Sequence, residues 1–188
     1  MRYGKMESIK RCLRFEKAYV MTGQTTLDSI REREVMNILF YLVPKSEVMY
    51  LFDDFSIRQA IEKMEYHKYS AVPIITRDGR YFGTLTEGDI LWELKNRHAS
   101  NLQEAETIQL KHMQRKRDNQ PVNVNCNIED LVMTSMNQNF VPVIDDNGVF
   151  IGIVTRKSII EFCYMRYKKY ERFEHMETEQ QIHLMETM

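Results

Sequence analysis

Two short polar segments carry the residue types that could do chemistry in this chain. The first is Thr86-Glu87-Gly88-Asp89, and the second, 69 positions later, is Thr155-Arg156-Lys157-Ser158. A threonine followed three residues later by an acidic residue is the signature of a helix capping box. A helix N-terminus also offers unpaired backbone N–H groups that can bind an anion such as phosphate. From these residues alone, helix capping and ligand binding both stay open.

The two polar segments end a longer internal repeat. Residues 70–90 read SAVPIITRDGRYFGTLTEGDI, and residues 139–159 read NFVPVIDDNGVFIGIVTRKSI. The copies align without a gap, and the shared positions include Pro73 with Pro142, Gly79 with Gly148, Gly83 with Gly152, and Thr86 with Thr155. A repeat of this kind indicates two similar structural units.

Each copy predicts a β-hairpin that leads into a helix. The apolar runs 71–75 and 140–144 indicate buried strands, and Gly79 and Gly148 supply the positive φ of a turn. Upstream of each copy, the sequence predicts a short strand (48–51 in the first) and a helix with one apolar face. The apolar positions of these helices are Ile57, Ala60, Ile61 and Met64, and Ile128, Leu131 and Val132. The predicted fold class is therefore α+β, with two β-α-β-β-α units.

Changes in composition along the chain predict its domain boundaries. We expect an N-terminal extension (1–35), a first unit (36–98), a polar and basic connector (99–118), a second unit (119–165) and a helical tail (166–188). The run Arg-Glu-Arg-Glu-Val before Met36 suggests a translated ribosome-binding site, so residues 1–35 are expected to be non-native or poorly ordered. The basic cluster 111–117 is either a phosphate-facing loop or a solvated connector, and charge runs favour the second interpretation.

Composition argues against several classes of function. The formal net charge is -1, which gives no electrostatic reason to expect nucleic-acid binding. The sequence contains no run of 18 apolar residues and no secretory signal, so no membrane association is expected. Cys12, Cys126 and Cys163 form no CxxC pair, which fits a reducing cytoplasm. The histidines show no metal-ligand spacing, and no nucleophile–base constellation is visible, so we expect neither a metal site nor an enzyme.

The repeated segments resemble the cystathionine-β-synthase (CBS) domain, and the two together resemble a tandem CBS pair, or Bateman module. The resemblance rests on the Ser-Ala-Val-Pro and Phe-Val-Pro segments, the Asp-Gly and Asp-Asn-Gly turns, and Gly-x-x-Thr-x-x-Asp over 83–89 with its copy over 152–158. It covers residues 43–165. It implies two CBS units related by pseudo-two-fold symmetry and packed through their sheets.

The resemblance also implies a regulatory ligand and no other cofactor. CBS pairs typically bind AMP, ADP, ATP, cyclic di-AMP or S-adenosylmethionine in clefts between their two units. A carboxylate at a helix start can accept both ribose hydroxyls, and the helix N-terminus suits phosphate. By resemblance, the first cleft is formed by Thr86, Asp89, Phe140 and Val141. The second is formed by Val48, Met49, Ser70, Ala71, Val72, Thr155, Arg156, Lys157 and Ser158.

The two clefts are expected to differ in charge. Ser158 stands where the family usually has Asp, so ribose would be held less firmly in the second cleft. Arg156 and Lys157 would add charge-assisted contacts to a phosphate there. In the first cleft, Glu87 would repel a phosphate. The second cleft is therefore the predicted site of a phosphate-bearing ligand.

These observations predict a cytoplasmic sensor of an adenine nucleotide or cyclic dinucleotide. Its output would pass through an unidentified protein partner or through its own homodimer. The alternative is a structural or dimerisation scaffold with unoccupied clefts, which Ser158 and Glu87 favour because each weakens one cleft.

Overall fold

The computed structural model describes residues 38–97, 102–168 and 171. It contains two compact units: residues 38–156 hold both sheets, and the described part of the other unit is 157–168 and 171. The expectations for residues 1–35 and for nearly all of the tail at 166–188 lie outside the described residues. Within the described ranges, no helix is long and apolar enough to cross a membrane.

The described residues alternate strands and helices in the predicted order. The strands are β1 (Leu42–Pro44), β2 (Leu51–Phe52), β3 (Ala71–Ile75), β4 (Tyr81–Thr86), β5 (Val122–Asn123), β6 (Phe140–Ile144) and β7 (Phe150–Thr155). The helices are α1 (Ile57–His67), α2 (Glu87–Asn96), α3 (Leu102–Glu106), α4 (Ile128–Ser135) and α5 (156–168), with 3-10 turns at Ile38–Tyr41 and Leu110–His112. The β-α-β-β-α order occurs twice, from β2 to α2 and from β5 to α5, which confirms the predicted α+β fold.

The first strand of the first repeat is shorter than the sequence predicts. Instead of residues 48–51, only Leu51–Phe52 forms a strand, and it pairs in parallel with Ile74 and Ile75. The preceding residues are taken up by tight turns, in which the Glu47 N–H donates to Pro44 and the Val48 N–H to Lys45. Turn formation after Pro44 therefore keeps Val48 and Met49 out of the sheet.

The two sheets repeat one arrangement. Their strand orders are β2-β3-β4 and β1-β7-β6-β5, and in each repeat a parallel pair is followed by an antiparallel hairpin. The hairpin register shifts at the same place in both copies, between Ile74 and Ile75 and between Val143 and Ile144. β1 is additional: it precedes the first repeat in the chain but pairs antiparallel with β7 of the second repeat.

The hairpin turns join the two repeats by a reciprocal pair of hydrogen bonds. The Tyr81 N–H donates to the Gly148 carbonyl at 3.2 Å, and the Phe150 N–H donates to the Gly79 carbonyl at 2.9 Å. The rings of Tyr81 and Phe150 stack with their centroids 6.2 Å apart. Tyr81 and Phe150 are equivalent positions in the repeat, as are Gly79 and Gly148. The bonds are therefore related by the pseudo-two-fold symmetry.

The connector contributes to the core of the first repeat. Ala105, Ile108, Leu110 and Met113 are buried in the cluster formed by α1, β3 and β4. Backbone bonds fix the segment in place, from the Ile57 N–H to the Ile108 carbonyl and from the Leu110 N–H to the Phe55 carbonyl. The connector is therefore not solvated throughout, because these four apolar residues are buried, whereas Lys111 and His112 of the basic cluster are exposed. Its apolar residues are scattered among charged ones, so the composition of the segment does not predict that they are buried.

We expect Gly152→Ala to destabilise the protein by about 1–3 kcal/mol, because a Cβ there overpacks a filled site. That Cβ would overlap the Val43 carbonyl oxygen and the Leu42 side chain of β1. Urea unfolding followed by circular dichroism measures the change.

The matched control is Gly88→Ala in α2, where an added Cβ would meet only Thr86 Oγ1 at 3.7 Å. Alanine is preferred to glycine in helices, so this variant should be neutral or up to about 1 kcal/mol more stable. Equal midpoints for Gly152→Ala and the wild type would show that β1 does not pack on β7 in solution.

Candidate functional site

The first polar segment forms a complete capping box at the start of α2. The Asp89 N–H donates to Thr86 Oγ1 at 3.1 Å, and the Thr86 N–H donates to Asp89 Oδ2 at 3.1 Å. The Thr86 hydroxyl also donates to Asp89 Oδ2, at 2.6 Å. Asp89 is only 4% exposed. The capping interpretation of this segment is therefore confirmed, and it accounts for one oxygen of the carboxylate.

The second oxygen of Asp89 is also bonded within the chain. Asp89 Oδ1 accepts the backbone N–H of Lys116 at 3.2 Å. An ionised carboxylate has about four lone-pair positions, and here three are used by bonds within the chain. Because Asp89 is also buried, the ribose diol of a ligand could donate two hydrogen bonds to it only if the chain around Lys116 moved away.

Lys116 belongs to a segment, residues 115–119, that we call the cover segment because it lies over β4. Asp118 Oδ1 accepts the Thr84 N–H at 2.9 Å and forms an ion pair with Arg115 Nε at 2.8 Å. The Arg115 guanidinium lies 4.6 Å above the ring of Phe82. These contacts close the outer edge of β4 with side chains.

The cover segment also reaches the second repeat. Asn119 Nδ2 donates to the Phe140 carbonyl at 2.9 Å, and the Tyr81 hydroxyl donates to the Asn119 carbonyl at 2.9 Å. One segment therefore contacts both predicted sides of the first cleft, Asp89 and Phe140. Val141, the remaining predicted residue of this cleft, is fully buried and pairs with Val154.

Sequence reasoning missed the cover segment as a part of the site. The sequence predicts one basic cluster at 111–117, and this grouping separates Arg115 from the acidic residue that follows. The i,i+3 spacing of Arg115 and Asp118 was the available signal, because residues that close in the chain can form an ion pair.

The second polar segment is positioned differently. Thr155 ends β7 opposite Phe140, and the Arg156 N–H donates to the Asn139 carbonyl at 2.9 Å. Arg156 Nε donates to the carbonyls of Ser135, at 3.1 Å, and Gln138, at 3.0 Å. The Ser135 carbonyl lies at the C-terminal end of α4, where a cation is favourable to the helix dipole, and the Gln138 carbonyl lies in the loop that follows. Arg156 therefore stabilises the end of α4.

Lys157 and Ser158 follow in the first turn of α5. The Lys157 side chain is 84% exposed, and its ammonium group lies 3.8 Å from Glu161 one turn later. Ser158 is half-buried. Exposed pairs at this distance contribute little to stability, so Lys157 has little structural role within its helix.

The other residues predicted for the second cleft differ in burial. Val48 and Met49 are half-buried, and Met49 packs against the core of the first repeat. Val72 is a core residue that pairs with Leu85. Ser70 is exposed, while Ala71 is half-buried and pairs with Thr86. The Ser70 carbonyl accepts the Glu87 N–H at 3.1 Å, as the Asn139 carbonyl accepts that of Arg156.

A cavity of about 400 Å³ lies between α1 and α2. It is lined by Ile61, Met64, Glu65, Lys68, Glu87 and Ile90. None of the residues predicted to bind a ligand lines it, although Glu87, the acidic residue at the start of α2, does.

A sequence profile of the CBS domain family matches the chain twice, over residues 40–96 and 113–164. The chain belongs to the CBS domain family. The two matches fall on the two repeats, so the chain carries a tandem CBS pair, as the repeat and its motifs predict. None of the curated protein sequences compared with the chain matches it.

Solved structures of CBS proteins share the fold of this CBS pair. CbpB in complex with c-di-AMP is 23% identical, with a TM-score of 0.66 over 78% of this chain and 96% of that one. CbpB from Streptococcus agalactiae is 25% identical, with a TM-score of 0.61 over 70% and 82%. CBSX2 in complex with AMP is 19% identical, with a TM-score of 0.56 over 69% and 97%.

Tyr81, which holds the cover segment, should make this CBS pair sensitive to alkaline pH. Burial raises the pKa of Tyr81 above its ordinary value of 10.0, and the charge of Asp118 adds to the effect. Because the folded-state pKa is the higher one, the stabilisation is complete below pH 10 and is lost as pH rises further. Urea unfolding at pH 8 and at pH 10.5 should show a loss that Tyr81→Phe reduces.

Tyr66→Phe is the control, because Tyr66 is 82% exposed. This variant should keep the pH dependence of the wild type. If Tyr81→Phe kept it as well, Tyr81 would not be the group that titrates.

Proposed function

We propose that this CBS pair is a cytoplasmic regulatory module that binds an adenosine-containing ligand: AMP, ADP, ATP or cyclic di-AMP. Its ligand state would be passed to a protein partner or to its own homodimer. The ligand class is supported by two solved structures of similar fold, CbpB with c-di-AMP and CBSX2 with AMP. The preferred site is the second cleft, with Thr155, Arg156 and Lys157 facing the phosphate.

The observation that carries this preference is the difference in accessibility between the two polar segments. Asp89 is buried, and both of its carboxylate oxygens are bonded within the chain. Lys157 and Ser70, in contrast, are exposed. A ligand can therefore reach the residues of the second cleft without first breaking a buried hydrogen-bond network.

The fixed position of Arg156 also favours this cleft. Its Nε is held by two backbone carbonyls, which sets the orientation of the planar guanidinium. A guanidinium carries five N–H donors in a rigid fork that matches the geometry of phosphate. Because its orientation is set in advance, less side-chain entropy is lost when an anion binds.

The charge of the equivalent position disfavours the first cleft for a phosphate. Glu87 occupies in α2 the position that Arg156 occupies in α5, and its side chain is exposed. A carboxylate at the helix start opposes the binding of an anion at the same N–H groups. The first cleft is therefore better suited to an uncharged adenosine group than to its phosphates.

Regulation requires that the ligand favours one arrangement of the protein over another. Among the described residues, the hydrogen bonds between the hairpin turns and the pairing of β1 with β7 are direct backbone links between the two CBS matches. Exposed apolar side chains are candidate contacts for a homodimer or a protein partner. They include Leu91, Trp92, Met133 and Met136, and in α5 Ile160, Tyr164 and Met165.

A scaffold with unoccupied clefts is the alternative. It is favoured by the self-satisfied Asp89 and by the lack of charge at Ser158. In that case the capping box of α2 and the C-terminal cap made by Arg156 would be the whole role of the two polar segments.

Thermal unfolding of the full chain with AMP, ADP, ATP, cyclic di-AMP and S-adenosylmethionine tests the proposal. A ligand at a hundred times its Kd should add about 2.7 kcal/mol of stability, which raises the Tm by several degrees. Lys157→Ala should reduce this ligand-induced shift, because it removes a charge from the phosphate site.

The matched control is Lys168→Ala, which removes a lysine of the same helix that pairs with Glu171 at 2.7 Å. This variant should retain the full shift. No shift with any of the five compounds would contradict the sensor and leave the scaffold as the better account.

A further inference from the structure

We propose that the cover segment, residues 115–119, is an internal gate on the first cleft. An adenosine group can bond Asp89 only after this segment has moved away from β4. The inference rests on the proposed function, because it concerns the access of the same class of ligand to the other cleft of the pair. It predicts that the intact protein binds adenosine in the first cleft weakly, and that loosening the segment strengthens this binding.

The first argument is that both carboxylate oxygens of Asp89 already accept hydrogen bonds within the chain. The Lys116 N–H donates to Asp89 Oδ1, and Oδ2 is taken by the backbone and hydroxyl of Thr86. The capping bonds belong to α2 itself and remain when the segment moves. The bond to Lys116 is the one that moving the segment would release, which would free one oxygen for a ribose hydroxyl.

The second argument is the lack of space beneath the segment. A Cβ placed on Gly83 would lie 2.5 Å from Asp118 Oδ1 and 2.9 Å from Arg115 Nη2. A methyl group at Gly83 would collide with the ends of these two side chains, so the space between β4 and the segment is filled while the segment lies there. A ligand group could occupy this face of β4 only if both side chains moved.

The third argument is that the contacts holding the segment on β4 can break and re-form. These contacts are polar. Asp118 bonds the Thr84 N–H and Arg115, Asn119 bonds the Phe140 carbonyl, and Tyr81 bonds the Asn119 carbonyl. Such bonds contribute little net stability, because water replaces the partners when the segment leaves. The apolar anchor ends at Met113, which is buried just before the segment begins.

The contrast with the second repeat supports a gate on one side only. The edge of β7, which corresponds to β4, is covered by β1 through backbone pairing at Leu42, Val43 and Pro44. The edge of β4 is covered by side chains of the segment instead. Regular strand pairing is more cooperative than separate side-chain contacts. The covering of β4, next to the first cleft, is therefore the one that can be removed.

Asp118→Ala is the variant that loosens the gate, because it removes the bond to Thr84 and the ion pair to Arg115. Calorimetric titration with adenosine is the assay, since an uncharged ligand is insensitive to the lost charge. We expect binding about tenfold tighter than in the wild type, from a larger open fraction. Adding Asp89→Asn should abolish the gain. Arg115→Ala is the second loosening variant, should Asp118→Ala fold poorly.

The matched control is Asp146→Ala, which removes an exposed aspartate that accepts from Asn123 Nδ2 in the second repeat. It should bind adenosine as the wild type does. Trp92, the single tryptophan, gives a readout without any ligand, because the Lys116 ammonium lies 4.2 Å above its ring. Its emission should change in Asp118→Ala and Arg115→Ala, and not in Asp146→Ala.

Each outcome of these measurements decides a different point. Altered Trp92 emission with tighter, Asp89-dependent adenosine binding supports the gate. Wild-type affinity in both loosening variants overturns the gate and leaves the proposed function intact. Unchanged Trp92 emission in both variants would show that residues 115–119 do not lie on β4 in solution. If neither the wild type nor the loosened variants bind adenosine, AMP, ADP, ATP or cyclic di-AMP, the gate and the proposed function are both overturned.

Discussion

The structure depends on the reciprocal hydrogen bonds between the two hairpin turns. Tyr81 bonds Gly148, and Phe150 bonds Gly79, so each turn supplies one donor and one acceptor to the other. Both glycines have positive φ, 89° and 79°, a conformation that L side chains rarely adopt. The turn geometry and the contact between repeats are therefore one constraint. It explains why the glycine recurs at the same position in both copies.

The same pseudo-symmetry is broken in how the edges of the sheets are covered. The segment that precedes each repeat crosses to the last strand of the other: β1 lies on β7, and the cover segment lies on β4. Gly152 and Gly83 both leave room for this close approach. One covering is a backbone ladder and the other is a set of side-chain contacts, so two copies of one unit differ at the outer edges of their sheets.

The two polar segments that we propose as ligand sites also stabilise the fold. In the first, the capping box fixes Asp89 at the start of α2 and leaves one oxygen for a further donor, the Lys116 N–H. In the second, serine replaces the acid, and Arg156 fastens the end of α4. The residues that would bind a ligand are therefore already structural, and their loss would affect folding as well as binding.

The sequence alone determined the repeat, the α+β units and the CBS family, because strand periodicity, turn glycines and capping residues are local signals. It also identified Thr86 and Asp89 as a capping pair, since their spacing lies within one helical turn. Only the tertiary structure decided that Lys116 and Asp118 lie on Asp89 and Thr84, and that residues 105–113 enter the core. Those contacts join residues 27 and 34 positions apart. Their partners are set by the path of the connector over the sheet, which no local pattern in the chain encodes.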